Sequence, residues 1–443
     1  MTESAKRIGI GLVAGAAALI VGWRVCSKAE PRGDSPAASS ATVASKEVAP
    51  ANGGTSAIGL SAPIAAAHVA GGAVVVAGLD VPSKAIRVQR IDANERVVVD
   101  HVALGDVAWS ADSDLKVHAH ATEGAFVTWR GLRGGKLVRQ LAVVGPDLAP
   151  KGEPMEIAAA SCATREAVWF SDGARAVARP WRGTTTTVDL PKDKDASLLC
   201  GSSRAFALLE EEEKTSLLPL GGGGSPITLL RENDFGDDEQ RELAEYTVGG
   251  DVGIVRVGGS GAVAVREMHG AEAGPLHKLK TRIPKDDDVI AVDASAKVLA
   301  IVYTEDASST CPPAAGRGDT VVATKVMALR VQRESFEESI VELSPGRCGH
   351  EVGPFFSGVL GEAVSVAWTE RAGGAGKARA PIVGLAHTTL APTGTPALRR
   401  IEQAADALVD AGCDGTRCYA VALARREGMD VMVPGFAKVL RYE

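Results

Sequence analysis

Glu156-Ile157-Ala158-Ala159-Ala160-Ser161-Cys162, a turn, then Ala167-Val168-Trp169-Phe170 sets the pattern for the chain. A third apolar run follows at Arg175-Ala176-Val177-Ala178 and a fourth from Thr184 to Leu190. The next unit repeats the phrase with Ser197-Leu198-Leu199-Cys200, Ala205 to Leu209, Leu217-Leu218 and Pro226-Ile227-Thr228-Leu229. Working outward, further copies of the second run stand at Val74-Val75-Val76, Phe126-Val127-Thr128-Trp129 and Val252-Gly253-Ile254-Val255. Others are Leu299-Ala300-Ile301-Val302, Val364-Ser365-Val366-Ala367 and Tyr419-Ala420-Val421-Ala422. Spacings between starts run from 38 residues (Ala167 to Ala205) to 65 (Leu299 to Val364). A strand-rich period near ~40–50 residues marks radial blades rather than a chain of separate domains. The last unit reads Ala407-Leu408-Val409, Cys418 to Ala424, Met429 to Val433 and Lys438 to Arg441.

Composition agrees. Of 443 residues 45% are apolar and only 4% aromatic, with 50 Gly. Small and β-branched residues suit closely stacked sheets. With 48 basic and 55 acidic residues the net charge is −7, which lacks the basic patch a nucleic-acid partner requires.

Lys6 and Arg7 precede an uncharged run of 16 residues, Ile8 to Trp23. As a helix it spans ~24 Å, just under the ~17–25 residues of a membrane span. Residues 1–26 therefore read as a membrane anchor with a cytoplasmic N-terminus. The alternative is a signal peptide cleaved near Ser27-Lys28-Ala29. Residues 27–57, rich in Ser, Ala, Pro and Gly, read as a flexible tether. Residues 58–443 hold the repeats.

Six cysteines follow Cys26. Cys162, Cys200 and Cys413 share one phase, each six residues before Val168, Phe206 and Tyr419. Cys418 lies across the last hairpin from Cys413. Cys162 and Cys200 fall on equivalent ends of neighbouring inner strands, and Cys311 and Cys348 in loops on one face. The expected bridges are Cys413–Cys418, Cys311–Cys348 and Cys162–Cys200, in keeping with an oxidising compartment.

Four short strands per unit resemble the blades of bacterial exported β-propellers. The likeness is one of architecture, since WD, kelch and Asp-box signatures do not recur, and it names no specific family. It implies an all-β propeller of about eight four-stranded blades, with seven as the alternative because the first and last units are the least regular.

Chemistry is sparse. There is no Gly-x-Ser-x-Gly elbow, and Gly221 to Gly224 lacks a following Gly-Lys-Ser/Thr, so no cofactor is called for. His118-x-His120 with Lys116 makes a polar stripe on an inner strand. No third ligand is identifiable, so the histidines read as hydrogen-bonded between blades rather than as a metal site. No catalytic residue stands out.

The loops after second and fourth strands share one propeller face. They bring together Glu210 to Glu213, then Asp234, Asp237, Asp238 and Glu239, then Asp286, Asp287 and Asp288. Arg317, Arg347, Lys377 and Arg379 fall on the same face beyond them. Such a field can steer a charged partner, although exposed loops are also charged for solubility alone. The expected function is a tethered, periplasm-facing or extracellular module that binds or scaffolds an envelope protein or polysaccharide through this face. The alternative is an exported hydrolase or lyase using loop carboxylates on a polymer.

Overall fold

The computed structural model describes residues 61–442 apart from short stretches, the longest being 105–114, 313–320, 373–381 and 425–435. The expected anchor and tether lie outside the described residues. Among those described, the chain forms eight antiparallel sheets in sequence order.

The first sheet is β1 (Ser61–Val69), β2 (Ala73–Asp80), β3 (Ala85–Ile91) and β4 (Val97–Leu104). The second is β5 (Lys116–His120), β6 (Gly124–Arg133), β7 (Lys136–Val144) and β8 (Met155–Ile157). The third is β9 (Cys162–Ala163), β10 (Ala167–Ser171), β11 (Arg175–Pro180) and β12 (Thr186–Asp189). The fourth is β13 (Ala196–Cys200), β14 (Ala205–Glu210), β15 (Lys214–Leu220) and β16 (Ile227–Arg231). The fifth is β17 (Gln240–Val248), β18 (Asp251–Gly258) and β19 (Ala262–His269), with both β20 (Glu272–Ala273) and β21 (His277–Arg282) paired to β19. The sixth is β22 (Val289–Ala294), β23 (Val298–Asp306), β24 (Thr324–Gln332) and β25 (Glu338–Ser344). The seventh is β26 (His350–Leu360), β27 (Ala363–Ala372), β28 (Ile382–Leu390) and β29 (Arg399–Ile401). The last is β30 (Ala407–Cys413), β31 (Cys418–Ala424) and β32 (Phe436–Tyr442).

Every quoted second run is a second strand, and its near-continuous apolarity has a simple cause. Each second strand is covered on both faces by neighbouring sheets. In β14, Ala205, Ala207 and Leu209 pack toward the third sheet, while Phe206 and Leu208 pack toward the fifth. In β23, Leu299, Ile301 and Tyr303 face the fifth sheet, and Val298, Ala300 and Val302 the seventh. Alternate side chains leave on opposite sides of a strand, so two-sided burial removes the polar half of the pattern. Each successive pair from the first sheet to the eighth shares its own apolar cluster. Between the last sheet and the first, Asp410 Oδ2 accepts from Ala66 N at 2.7 Å and Tyr419 Oη donates to Ala66 O at 3.4 Å. The result is an all-β propeller of four-stranded blades.

Seven sheets have four strands or more, and the eighth has three. Two expected orders are corrected: Glu156-Ile157, read with the third unit, lies in β8 and pairs with β7 of the second sheet, and the last unit is reordered. β31 pairs directly with β32 in the register Ala422↔Lys438, so no strand fits between them, and Lys438 to Arg441 takes the third place rather than the fourth. Met429 to Val433 lies outside the described residues.

All three expected bridges form. Cys162–Cys200 joins β9 to β13 with Cα atoms 5.7 Å apart. Cys311–Cys348 ties the loop after β23 to the segment before β26, at 5.5 Å. Cys413–Cys418 crosses the last hairpin at 4.0 Å. Two turns between third and fourth strands also carry non-glycine residues in the left-handed region, Leu148 at φ 60° and Phe336 at φ 54°. Both put an apolar side chain into a seam between sheets, which offsets the local strain.

Candidate functional site

The face formed by loops after second and fourth strands carries the expected acids, but not all are available. Asp234 Oδ2 accepts from Arg231 N at 2.8 Å, and its carbonyl accepts from Lys278 Nζ. Asp238 accepts from Ser260 N at 2.8 Å and Ser260 Oγ at 2.7 Å, and its carbonyl from Arg256 Nη2. The Ser260 bonds hold its carboxyl below the usual carboxylate range. Glu239 is exposed, with its carbonyl accepting from Gly259 N at 2.8 Å. These residues knit the segment before β17 onto the β18–β19 turn. Asp237 lies outside the described residues, as do Glu212, Glu213, Arg317, Lys377 and Arg379. Glu211 pairs with Lys214 at 3.5 Å. Arg347 and Arg400 both pair with buried Glu370, at 3.4 and 3.0 Å.

Asp286, Asp287 and Asp288 differ. Their turn is fixed through its backbone. Arg241 Nη1 donates to Pro284 O at 2.9 Å and Lys285 O at 2.8 Å. Val289 N donates to Glu242 Oε1 at 3.4 Å, and Thr304 N to Asp288 O at 3.2 Å. The carboxylates themselves take no part. Asp286 and Asp288 point outward, exposed, while Asp287 is only 7% exposed with its Oδ2 lacking a hydrogen-bond partner. Burial, then the nearby charge of Glu305, pushes its carboxyl above the usual range. Glu242 is raised too, first by burial and then by Asp288, against the pull of Val289 N and Arg241.

The inner strands carry polar links around the ring. His118 Nε2 lies 2.9 Å from Ser161 Oγ, joining the second sheet to the segment before β9. Burial, aided by Lys116, pushes this imidazole down to about 4. His120 instead sits against Trp181, with ring centroids 5.2 Å apart. Both partners adjoin strands of the third sheet, so the two histidines meet the same neighbour. Asp293 and Asp410 are pushed up to about 6 by burial. Among the described residues no group of three or more His, Cys, Asp or Glu could hold a metal ion.

The opposite face holds a feature that the sequence reading missed. A cavity of about 160 Å³ between the fifth and sixth sheets is lined by Glu267, His269, His277, Arg333, Glu334 and Phe336, among others. Arg333 forks onto Glu267, Nε to Oε1 at 2.8 Å and Nη2 to Oε2 at 2.5 Å. Its Nη1 donates to Ser295 O and Ala296 O, both at 3.1 Å, and Tyr246 Oη donates to Glu267 Oε1 at 2.8 Å. Burial alone would raise the Glu267 carboxyl, but Arg333 and Tyr246 hold it below the usual range. The Phe336 ring stacks on His277 at 3.4 Å. With Glu267 and Arg333 saturated, this is a clamp between blades. Its only sequence signal is a carboxylate inside the apolar strand Ala262–His269, and its partner lies 66 residues away.

No family model matches the chain, and no curated protein matches it. Solved structures give distant likenesses. BamB from Moraxella catarrhalis is 12% identical, with a TM-score of 0.34, covering 75% of this chain and 95% of that one. The β-propeller domain of Nup133 from Vanderwaltozyma polyspora is 9% identical, with a TM-score of 0.33, covering 68% of this chain and 89% of that one.

Proposed function

We propose that the protein is a binding or scaffolding module that engages a protein or polysaccharide of the cell envelope through its loop face. On the same reading each of the eight sheets is a blade, residues 1–26 anchor the chain and the ring faces the periplasm or exterior. One observation carries the proposal. The turn Pro284–Asp288 is hydrogen-bonded through its backbone, while the Asp286 and Asp288 side chains are exposed and Asp287 Oδ2 has no hydrogen-bond partner. Loops positioned by a stiff scaffold are where binding groups concentrate, and pre-ordering them lowers the entropy cost of association.

Proximity labelling and non-reducing pull-down on the intact protein test this. The expected result is enrichment of one envelope component, lost in the Asp286→Asn/Asp288→Asn variant. Enrichment unchanged by that substitution would return these acids to a solubility role. Polymer turnover abolished by a single loop-carboxylate substitution would replace the reading with an exported hydrolase or lyase.

A further inference from the structure

We propose that the acidic surface around the Pro284–Asp288 turn, between the fifth and sixth sheets on the loop face, receives a lysine- or arginine-bearing segment of a partner polypeptide. The proposal rests on the binding-module reading and narrows it to a chemical class. Five carboxylates converge there: Asp286, Asp287, Asp288, Glu242 at the start of β17, and Glu305 on β23. Three bases accompany them, and two are engaged at least in part, Arg241 keeping Nε and Nη2 without hydrogen-bond partners. Arg241 holds two backbone carbonyls and approaches Glu242 at 3.7 Å, and Lys325 pairs with Glu305 at 3.4 Å. Lys285 is exposed beside the acids.

The second observation is Asp287 itself. A carboxylate oxygen buried without a donor forfeits its solvation and gains no hydrogen bond in return. Three like charges around it, Glu305, Asp286 and Asp288, raise that cost, and Arg241 offsets part of it. A donor arriving from outside with positive charge relieves both, so the site discriminates by sign. An acidic polysaccharide would be repelled. A compact divalent ion needs several carboxylates on one centre, and no such group exists among the described residues. An ammonium or guanidinium on a flexible stem reaches one carboxylate at a time and suits the spread arrangement. Charge complementarity of this kind acts mainly on encounter rate and specificity.

The test is fluorescence anisotropy of a labelled octalysine peptide with the full chain at low salt. Octaglutamate serves as the sign control. Asp286→Asn/Asp287→Asn/Asp288→Asn should weaken octalysine binding at least tenfold. Glu153→Gln/Glu156→Gln/Glu166→Gln, an equal charge change on exposed positions of the second and third sheets, should change it less than twofold. Equal weakening by both variants would reduce the effect to net charge and overturn the proposal. If the first variant does not fold, Asp286→Asn/Asp288→Asn alters only exposed positions and should still weaken binding severalfold. Absent octalysine binding overturns the basic-partner class. If an envelope component is still captured through Asp286 and Asp288, the module reading stands; if not, both fall.

Discussion

A buried carboxylate shows most directly what one side chain does in this ring. Asp410 accepts from the unpaired inner edge of β1, yet burial holds its carboxyl up near 6 from an ordinary 3.8. A raised folded value means that protonation favours the fold. The group's stabilisation is complete below about pH 4 and is lost as pH rises through about 6. Asp410→Asn keeps an acceptor for Ala66 N without the charge. The change in unfolding free energy between pH 4 and pH 7.5 should therefore shift by up to about 3 kcal/mol relative to the parent. Urea titrations at the two pH values measure it, and parallel curves would show that Asp410 titrates normally. Gly253 is a second residue-scale case. A Cβ there would stand 2.3 Å from Tyr246 Cζ, so Gly253→Ala must displace a buried ring that bonds Glu267. Overpacking of this kind costs about 1–3 kcal/mol, and urea denaturation with near-ultraviolet circular dichroism would report it. An unchanged midpoint would mean that the ring moves freely.

At the scale of elements, the blade seams are held by apolar clusters with a few polar or covalent ties. Arg333→Met should cost about 3–5 kcal/mol, because Glu267 is left charged and buried without its fork. Glu267→Leu in the same chain should recover most of that loss, and failure to recover would mean the clamp acts through packing alone. The disulfides should differ in worth. Cys162–Cys200 closes 38 residues and Cys413–Cys418 only 5. By chain entropy these correspond to about 4 and about 2 kcal/mol. Cys162→Ala/Cys200→Ala should thus lower the melting temperature more than Cys413→Ala/Cys418→Ala, and the reverse order would contradict the entropic account. Second strands were legible in the sequence because burial on both faces leaves an uninterrupted apolar run, as in Ala167-Val168-Trp169-Phe170. Outer strands such as β8 and β29, three residues each, leave too short a pattern to read. The acids were legible as a group, but not their division. The Asp238 carboxylate is held by Ser260, 22 residues away, whereas Asp287 is tied only through its backbone, with Oδ2 left without a hydrogen bond, and only the folded chain brings out that difference.

Across the whole molecule, the first and last sheets meet through Ala66, Asp410 and Tyr419, and no strand is exchanged between them among the described residues. Ala66 precedes Asp410 by 344 residues. At synthesis rates of about 5–20 residues per second, the first blade waits roughly 20–70 s on the ribosome for its neighbour to exist. During that interval the side of β2 bearing Val74 and Val76, both fully covered in the finished ring, has nothing to cover it. The growing chain therefore carries an open, half-built ring, and some other surface has to shield that first blade until the last one arrives.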